Sequence, residues 1–199
     1  MSEEYDTVAP PGAKRMKTDE SIEQKRILYV VLEGCSLESA KIGKDYVILC
    51  SDKHANFLRK NKKDPAEYRP DILHQAVQLL HKLVVRAADS STKIANVQLV
   101  TTCSRSGLRK VIKNPVSNYL PVGSRKMLMS FNTEELILPN KLVSPKEEAP
   151  LVVAIGGIAR GKIVTDYTDQ DVKISNYPLS AALTCAKVTS GIEEVWGIV

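Results

Sequence analysis

Leu151-Val152-Val153-Ala154-Ile155-Gly156-Gly157-Ile158-Ala159-Arg160-Gly161-Lys162 runs five apolar residues straight into a loop holding three glycines. An unbroken apolar run rich in branched side chains reads as a strand buried on both faces of a parallel sheet. The glycines let the main chain approach a ligand closely and adopt positive φ, so amide and carbonyl groups can make the contacts. Outward from there, Ile27-Leu28-Tyr29-Val30-Val31-Leu32, bounded by Arg26 and Glu33-Gly34, is a second doubly buried strand, and Tyr46-Val47-Ile48-Leu49-Cys50 a further one. Val111-Ile112 and Lys126 to Phe131 continue the pattern of short β runs. These runs predict an α/β fold with a parallel sheet.

Helices fill the intervals. Ser51 or Asp52 can cap a short helix carrying Phe57 and Leu58. From Asp71 to about Ala87, Ile72, Leu73, Ala76, Val77, Leu79, Leu80, Leu83 and Val84 recur at helical spacing over a wide face, which predicts a largely buried helix. His74 and His81, seven residues apart on that helix, read as core histidines and receive no catalytic role. Residues 89–106 lose periodicity apart from the strand-like Val97 to Val100, and residues 132–150 form a polar connection. Pro178 stands where the first turn of a helix accepts it, Gly191 is expected to stop that helix, and a last short helix carries Trp196.

The chain has 199 residues and a formal charge of +5. Residues 151–199 hold four Lys/Arg against five Asp/Glu, so the basic excess lies in residues 1–150, as suits a polyanionic partner. Residues 1–25 are too poor in apolar side chains to offset the entropy of ordering and read as a disordered basic tail, in which Lys14-Arg15-Met16-Lys17 resembles a nuclear-import signal. No stretch approaches a membrane span, and the N-terminus lacks a signal pattern, so no membrane association or secretion is expected. The scattered Cys35, Cys50, Cys103 and Cys185 suggest neither a disulfide framework nor a metal site.

Several readings of the glycine loop compete. Gly156 and Gly161-Lys162 satisfy G-x-x-x-x-G-K, but Ile163 stands where a P-loop needs Ser or Thr, and Ile163-Val164-Thr165 favours a strand over the required helix. The spacing is also wrong for a dinucleotide fingerprint. A plain turn and a ligand cradle remain. A second loop, Ile174-Ser175-Asn176-Tyr177-Pro178-Leu179, sets small polar groups before a helix, and the two loops together could form one pocket.

These two motifs, with Glu194-Val195-Trp196, Arg69-Pro70-Asp71-Ile72-Leu73-His74-Gln75, Val77 to Leu83 and Val111 to Pro115, closely resemble the eukaryotic ribosome-biogenesis methyltransferases that modify N1 of a pseudouridine in small-subunit rRNA. The resemblance implies a SPOUT-type fold over residues 26–199, a parallel sheet flanked by helices with a C-terminal trefoil knot, assembled as a homodimer. It implies S-adenosylmethionine as cofactor, contacted by Met129, Gly156, Gly161, Ile174, Ser175, Asn176, Tyr177, Pro178 and Leu179. By the same carry-over Arg69 contacts rRNA and Asp71 holds it in place. It also implies a nuclear and nucleolar location, with small-subunit rRNA and processome assembly factors as partners, and it identifies no catalytic base and no metal.

The sequence departs from that family in two places. Some four to five dozen residues, including a core strand and an arginine-rich stretch that grips RNA, are absent between Gln75 and Val77, which are joined through Ala76 alone. Residues 95–108 have no counterpart. A splice variant or an error of gene assembly accounts for both. Loss of the strand is expected to expose an apolar sheet edge, and loss of the arginines to favour a catalytically impaired module of ribosome assembly as the alternative function.

Overall fold

Leu151 to Ile155 are all buried because strand β6 (Leu151–Gly156) has a parallel neighbour along each edge and side chains packed on both faces. The computed structural model of the protein describes residues 26–89, 96–103, 115–147 and 149–197. The expected tail, residues 1–25, and the run Val111-Ile112 lie outside them.

Around β6 are β1 (Ile27–Cys35), β4 (Asn96–Cys103), β5 (Arg125–Met129) and β7 (Gln170–Val172), in the spatial order β4-β1-β6-β5-β7, every pair parallel. The parallel α/β sheet expected from the apolar runs is therefore present. One face carries Leu28, Val30, Leu32, Met127, Val153 and Ile155 against helices α2 (Pro70–Asp89) and α3 (Ala181–Trp196). The other carries Val31, Leu128, Val152 and Ala154 under Val116 and Leu120, with Ile163 and Tyr167 packed alongside. Full burial of such a side chain stabilises the fold by roughly 1.5–3 kcal/mol.

Several expectations are corrected. Tyr46 to Cys50 is not a core strand: β3 (Asp45–Ile48) pairs antiparallel with β2 (Ser39–Ile42) in a separate hairpin, where Tyr46 and Ile48 are exposed. Gly43, in the left-handed region, turns the chain there before it can rejoin the main sheet. Leu49, just after it, is the residue that is buried. Helix α1 (Ser51–Lys60) follows as expected with Leu58 buried, although its N-cap is Cys50.

Helix α2 buries a single stripe among its described side chains, Leu73, Ala76 and Leu80, and His74 is exposed, so it is amphipathic, not largely buried; His81 lies outside the described side chains. Ile163-Val164-Thr165 forms neither strand nor helix.

Helix α3 runs unbroken through Gly191, where a stop was expected, and ends at Gly197 in the left-handed conformation. Gly191 is buried against Pro139, whose Cβ lies 2.5 Å from where a side chain would begin. Its role is close packing, not termination. Pro178 precedes the Ser180 N-cap, outside the first turn. The polar connection of residues 132–150 also contributes Leu142 and Val143 to the core.

Helix α2 carries Gln75-Ala76-Val77 in its middle, so the two joined segments form one continuous helix with Leu73, Ala76 and Leu80 on one stripe. The expected bare edge of β1 is not found: β4, drawn from the unmatched residues 95–108, pairs along it from Ile27–Asn96 to Cys35–Cys103.

Candidate functional site

Strands of a parallel sheet end together, and ligands of such sheets bind outside those carboxyl ends where the chain crosses over. Here β5 ends at Met129, β6 at Gly156 and β7 at Val172, and the chain leaving β6 passes over β5 to reach β7. A cleft of about 180 Å³ opens at that point.

Its floor is Met129, Ile155 and Val172; one wall is the loop after β6 with Gly156, Ile158, Gly161, Lys162 and Ile163. Ile174, Ser175, Tyr177 and Leu179 make the facing wall, while Ser130, Phe131 and Asn132 flank the end of β5. The two loops singled out in the sequence thus converge on one cavity. Of the residues named for the cofactor, Met129, Gly156, Gly161, Ile174, Ser175, Tyr177 and Leu179 line it, whereas Asn176 and Pro178 are exposed outside the lining.

Local bonds fix both walls. The Gly157 amide donates to the Glu33 carbonyl at 2.7 Å, and the Tyr167 hydroxyl donates to Glu33 Oε1 at 2.6 Å, so the glycine loop is tied to the end of β1 before and after its bend. Burial, with the Glu33 carboxylate beside it, pushes the Tyr167 phenol above its ordinary range and keeps it a donor. Gly161 takes φ +99°, which side-chain-bearing residues rarely adopt. On the facing wall the Tyr177 amide donates to Ser175 Oγ at 3.1 Å, and Ser180 Oγ accepts from the Leu183 amide to start α3.

The glycine loop's competing readings narrow accordingly. No helix follows Lys162, so the loop does not lead into a helix N-terminus as a P-loop or dinucleotide site requires. What remains is a cleft with apolar walls and exposed backbone, fitted to a ligand that is part apolar and part polar.

Sequence reasoning missed Ser130, Phe131, Asn132, Lys162, Lys173, Ala181 and Thr184 on the lining. Position at a strand end could have found the first three. Thr184, buried on the first turn of α3, carried no signal in the sequence. Ionisable groups on the described lining are Lys162, Lys173 and Tyr177, with no carboxylate or imidazole. Cys185, next to Thr184, is a poor nucleophile because burial pushes its thiol up to about 12.

Arg69 and Asp71 lie outside the cleft. The guanidinium donates through Nε to Oδ1 at 2.8 Å and through Nη2 to Oδ2 at 2.7 Å, a bidentate pair with both side chains partly exposed. Their segment sits at the same end of the sheet as the cleft, because Ser36, just past β1, donates its hydroxyl to the Glu67 carbonyl. Among the described residues no cluster of His, Cys, Asp and Glu could hold a metal ion, and no helix is long and apolar enough to cross a membrane.

Comparison with known proteins gives one consistent answer. The profile of the EMG1/NEP1 methyltransferase family matches residues 30–87 and 76–193. The ribosomal RNA small subunit methyltransferase nep-1 of Caenorhabditis elegans is 57% identical, covering 100% of both chains. The NEP1 proteins of Mus musculus, at 39% identity over 96% of this chain and 90% of the relative, and of Homo sapiens, at 38% over 100% and 93%, carry the same description. The two profile segments overlap over residues 76–87, immediately after the Gln75–Val77 junction. The alignment with the nematode protein runs over 245 positions against 199 residues here, leaving roughly 46 positions at which this chain has nothing.

Proposed function

The chain belongs to the EMG1/NEP1 methyltransferase family, and from that premise we propose that it methylates N1 of a pseudouridine in small-subunit rRNA, using S-adenosylmethionine held in the cleft between the glycine loop and the Ile174–Leu179 loop. The observation that carries this reading is the convergence of those two loops at the carboxyl ends of β5, β6 and β7.

The lining suits this cofactor: Met129, Ile155, Ile174 and Leu179 offer apolar surface to an adenosine, and backbone around Gly156 and Gly161 with Ser175 offers polar contacts. When bound, S-adenosylmethionine supplies a methyl group on a sulfonium that leaves as a neutral thioether. The protein's task is then alignment, and the absence of a carboxylate or imidazole from the described lining agrees with that. Pseudouridine exposes an N1–H that uridine lacks. As the N1–methyl bond forms, that proton passes to water, and the ammonium groups of Lys162 and Lys173 favour the negative charge developing on the base.

Arg69, held by Asp71, contacts the rRNA from the same end of the sheet. The reading includes a homodimer and a threaded C-terminus, the latter supported by the packing of α3 on Pro139–Lys141 and by the bridge between Leu136 and Lys173. It also includes a nuclear and nucleolar place among small-subunit processome factors. A second reading, an assembly module without catalysis, is favoured by the roughly 46 absent positions, where the resemblance expects RNA-gripping arginines.

Incubation with labelled cofactor and an rRNA hairpin carrying pseudouridine separates the two. Transfer to that hairpin and none to its uridine counterpart is expected of the enzyme. Cofactor binding without transfer identifies the module.

A further inference from the structure

Phe131 is one of two phenylalanines in the chain, and it stands half exposed, at 50%, while lining the cleft. Its backbone is nevertheless held firmly. Met129 pairs with both Ile155 and Val172, and the Ser130 amide donates to the Val172 carbonyl at 2.9 Å, so the chain beneath the ring is tied to two neighbouring strands. An aromatic ring left in water on a fixed base, at the rim of a cavity, is organised in advance to receive a flat apolar partner.

In a paired RNA the N1 edge of pseudouridine faces the deep, narrow major groove that protein groups cannot enter, and enzymes acting on such an atom take the base out of the stack. We propose that Phe131 is the platform on which the target pyrimidine, turned out of its stack, is held beside the cofactor cleft. This rests on the methyltransferase reading above and adds the residue that receives the substrate. The ring takes up any base face, because stacking is sequence-tolerant. Preference for pseudouridine over uridine therefore resides in the N1–H alone. Phe131 is a positioning residue.

The test compares wild type with Phe131→Ala, Phe131→Leu and Phe131→Tyr in methyl transfer to the pseudouridine hairpin. Hairpin affinity is measured with S-adenosylhomocysteine present, cofactor affinity by calorimetry, and oligomeric state by light scattering. The Ala and Leu variants are expected to lose about ten- to hundredfold in kcat/KM, the range for removing one stacked ring. Tyr should stay within about threefold of wild type, with cofactor affinity unchanged in all three.

Leu equal to wild type overturns the proposal, because apolar filling would then suffice. A parallel loss of cofactor affinity, or a change of oligomeric state in the Ala variant, also overturns it, since the ring would then serve the cofactor or an interface. A wild type that binds the hairpin but transfers nothing refutes the methyltransferase reading, while weaker hairpin binding by Phe131→Ala would still uphold the platform. Neither binding nor transfer by the wild type overturns both.

Discussion

Asp71 holds Arg69 through two parallel hydrogen bonds while both side chains stay substantially in water. Exposed ion pairs contribute about 0–1 kcal/mol to stability, and the bidentate geometry here fixes a guanidinium that still faces solvent, as the proposed contact with rRNA requires. Arg69→Ala should leave the melting temperature within about two degrees of wild type and weaken rRNA-hairpin binding about tenfold, whereas Asp71→Ala, which also removes an acceptor for the Ile72 amide at the start of α2, should lower both. A large loss of stability with unchanged hairpin affinity would show the pair to be a helix-terminal brace. The Arg69 guanidinium holds the Asp71 carboxyl below the usual carboxylate range. A lowered carboxyl keeps its pair above its unfolded pKa, near 3.9, and loses it as pH falls through the lower folded value. Hairpin affinity should therefore show no titration from this pair between pH 5 and 8, and a midpoint in that window abolished by Asp71→Asn would contradict the assignment.

Elements were legible in proportion to how strongly their surroundings constrain them. Residues 151–155 could be read because a strand with partners on both edges and packing on both faces tolerates only apolar side chains. Tyr46 to Ile48 carried the same residue types for a different reason, as a two-stranded hairpin whose outer face is wet, and composition alone cannot tell the two apart. The two cleft loops were legible as loops by their glycines and Pro178, but Phe131 and Thr184 join them only through the sheet order, which no local pattern encodes. Gly191 misled because glycine commonly ends helices, whereas here a tertiary contact with Pro139 demands it. Gly→Ala in an exposed helix interior gains about 1 kcal/mol, but a methyl forced into a packed contact costs roughly 1–3 kcal/mol. Gly191→Ala is thus expected to lower the melting temperature by a few degrees, and an increase would mean that α3 does not press on residues 139–141.

At the scale of the whole molecule, the missing segment has been absorbed without breaking the sheet. Helix α2 runs straight across the junction at Ala76, and β4, from residues without a family counterpart, closes the edge of β1. The edge of β1 is thus paired, while no arginine stands on the described lining of the cleft. Both walls of the cleft, by contrast, are tied down, by Glu33 on one side and by Ser175 and Ser180 on the other. The chain should accordingly bind S-adenosylmethionine more readily than it binds rRNA. Isothermal titration of the cofactor into wild type and Gly161→Val tests this most directly. Gly161 has φ +99°, and a Cβ there would meet Ile158 Cδ1 at 3.8 Å, an ordinary contact, so valine strains the loop through its backbone conformation. Saturable one-to-one binding by wild type, weakened at least about tenfold by the substitution, is the predicted result; no cofactor binding by a folded wild type that still binds an rRNA fragment tightly would contradict the account.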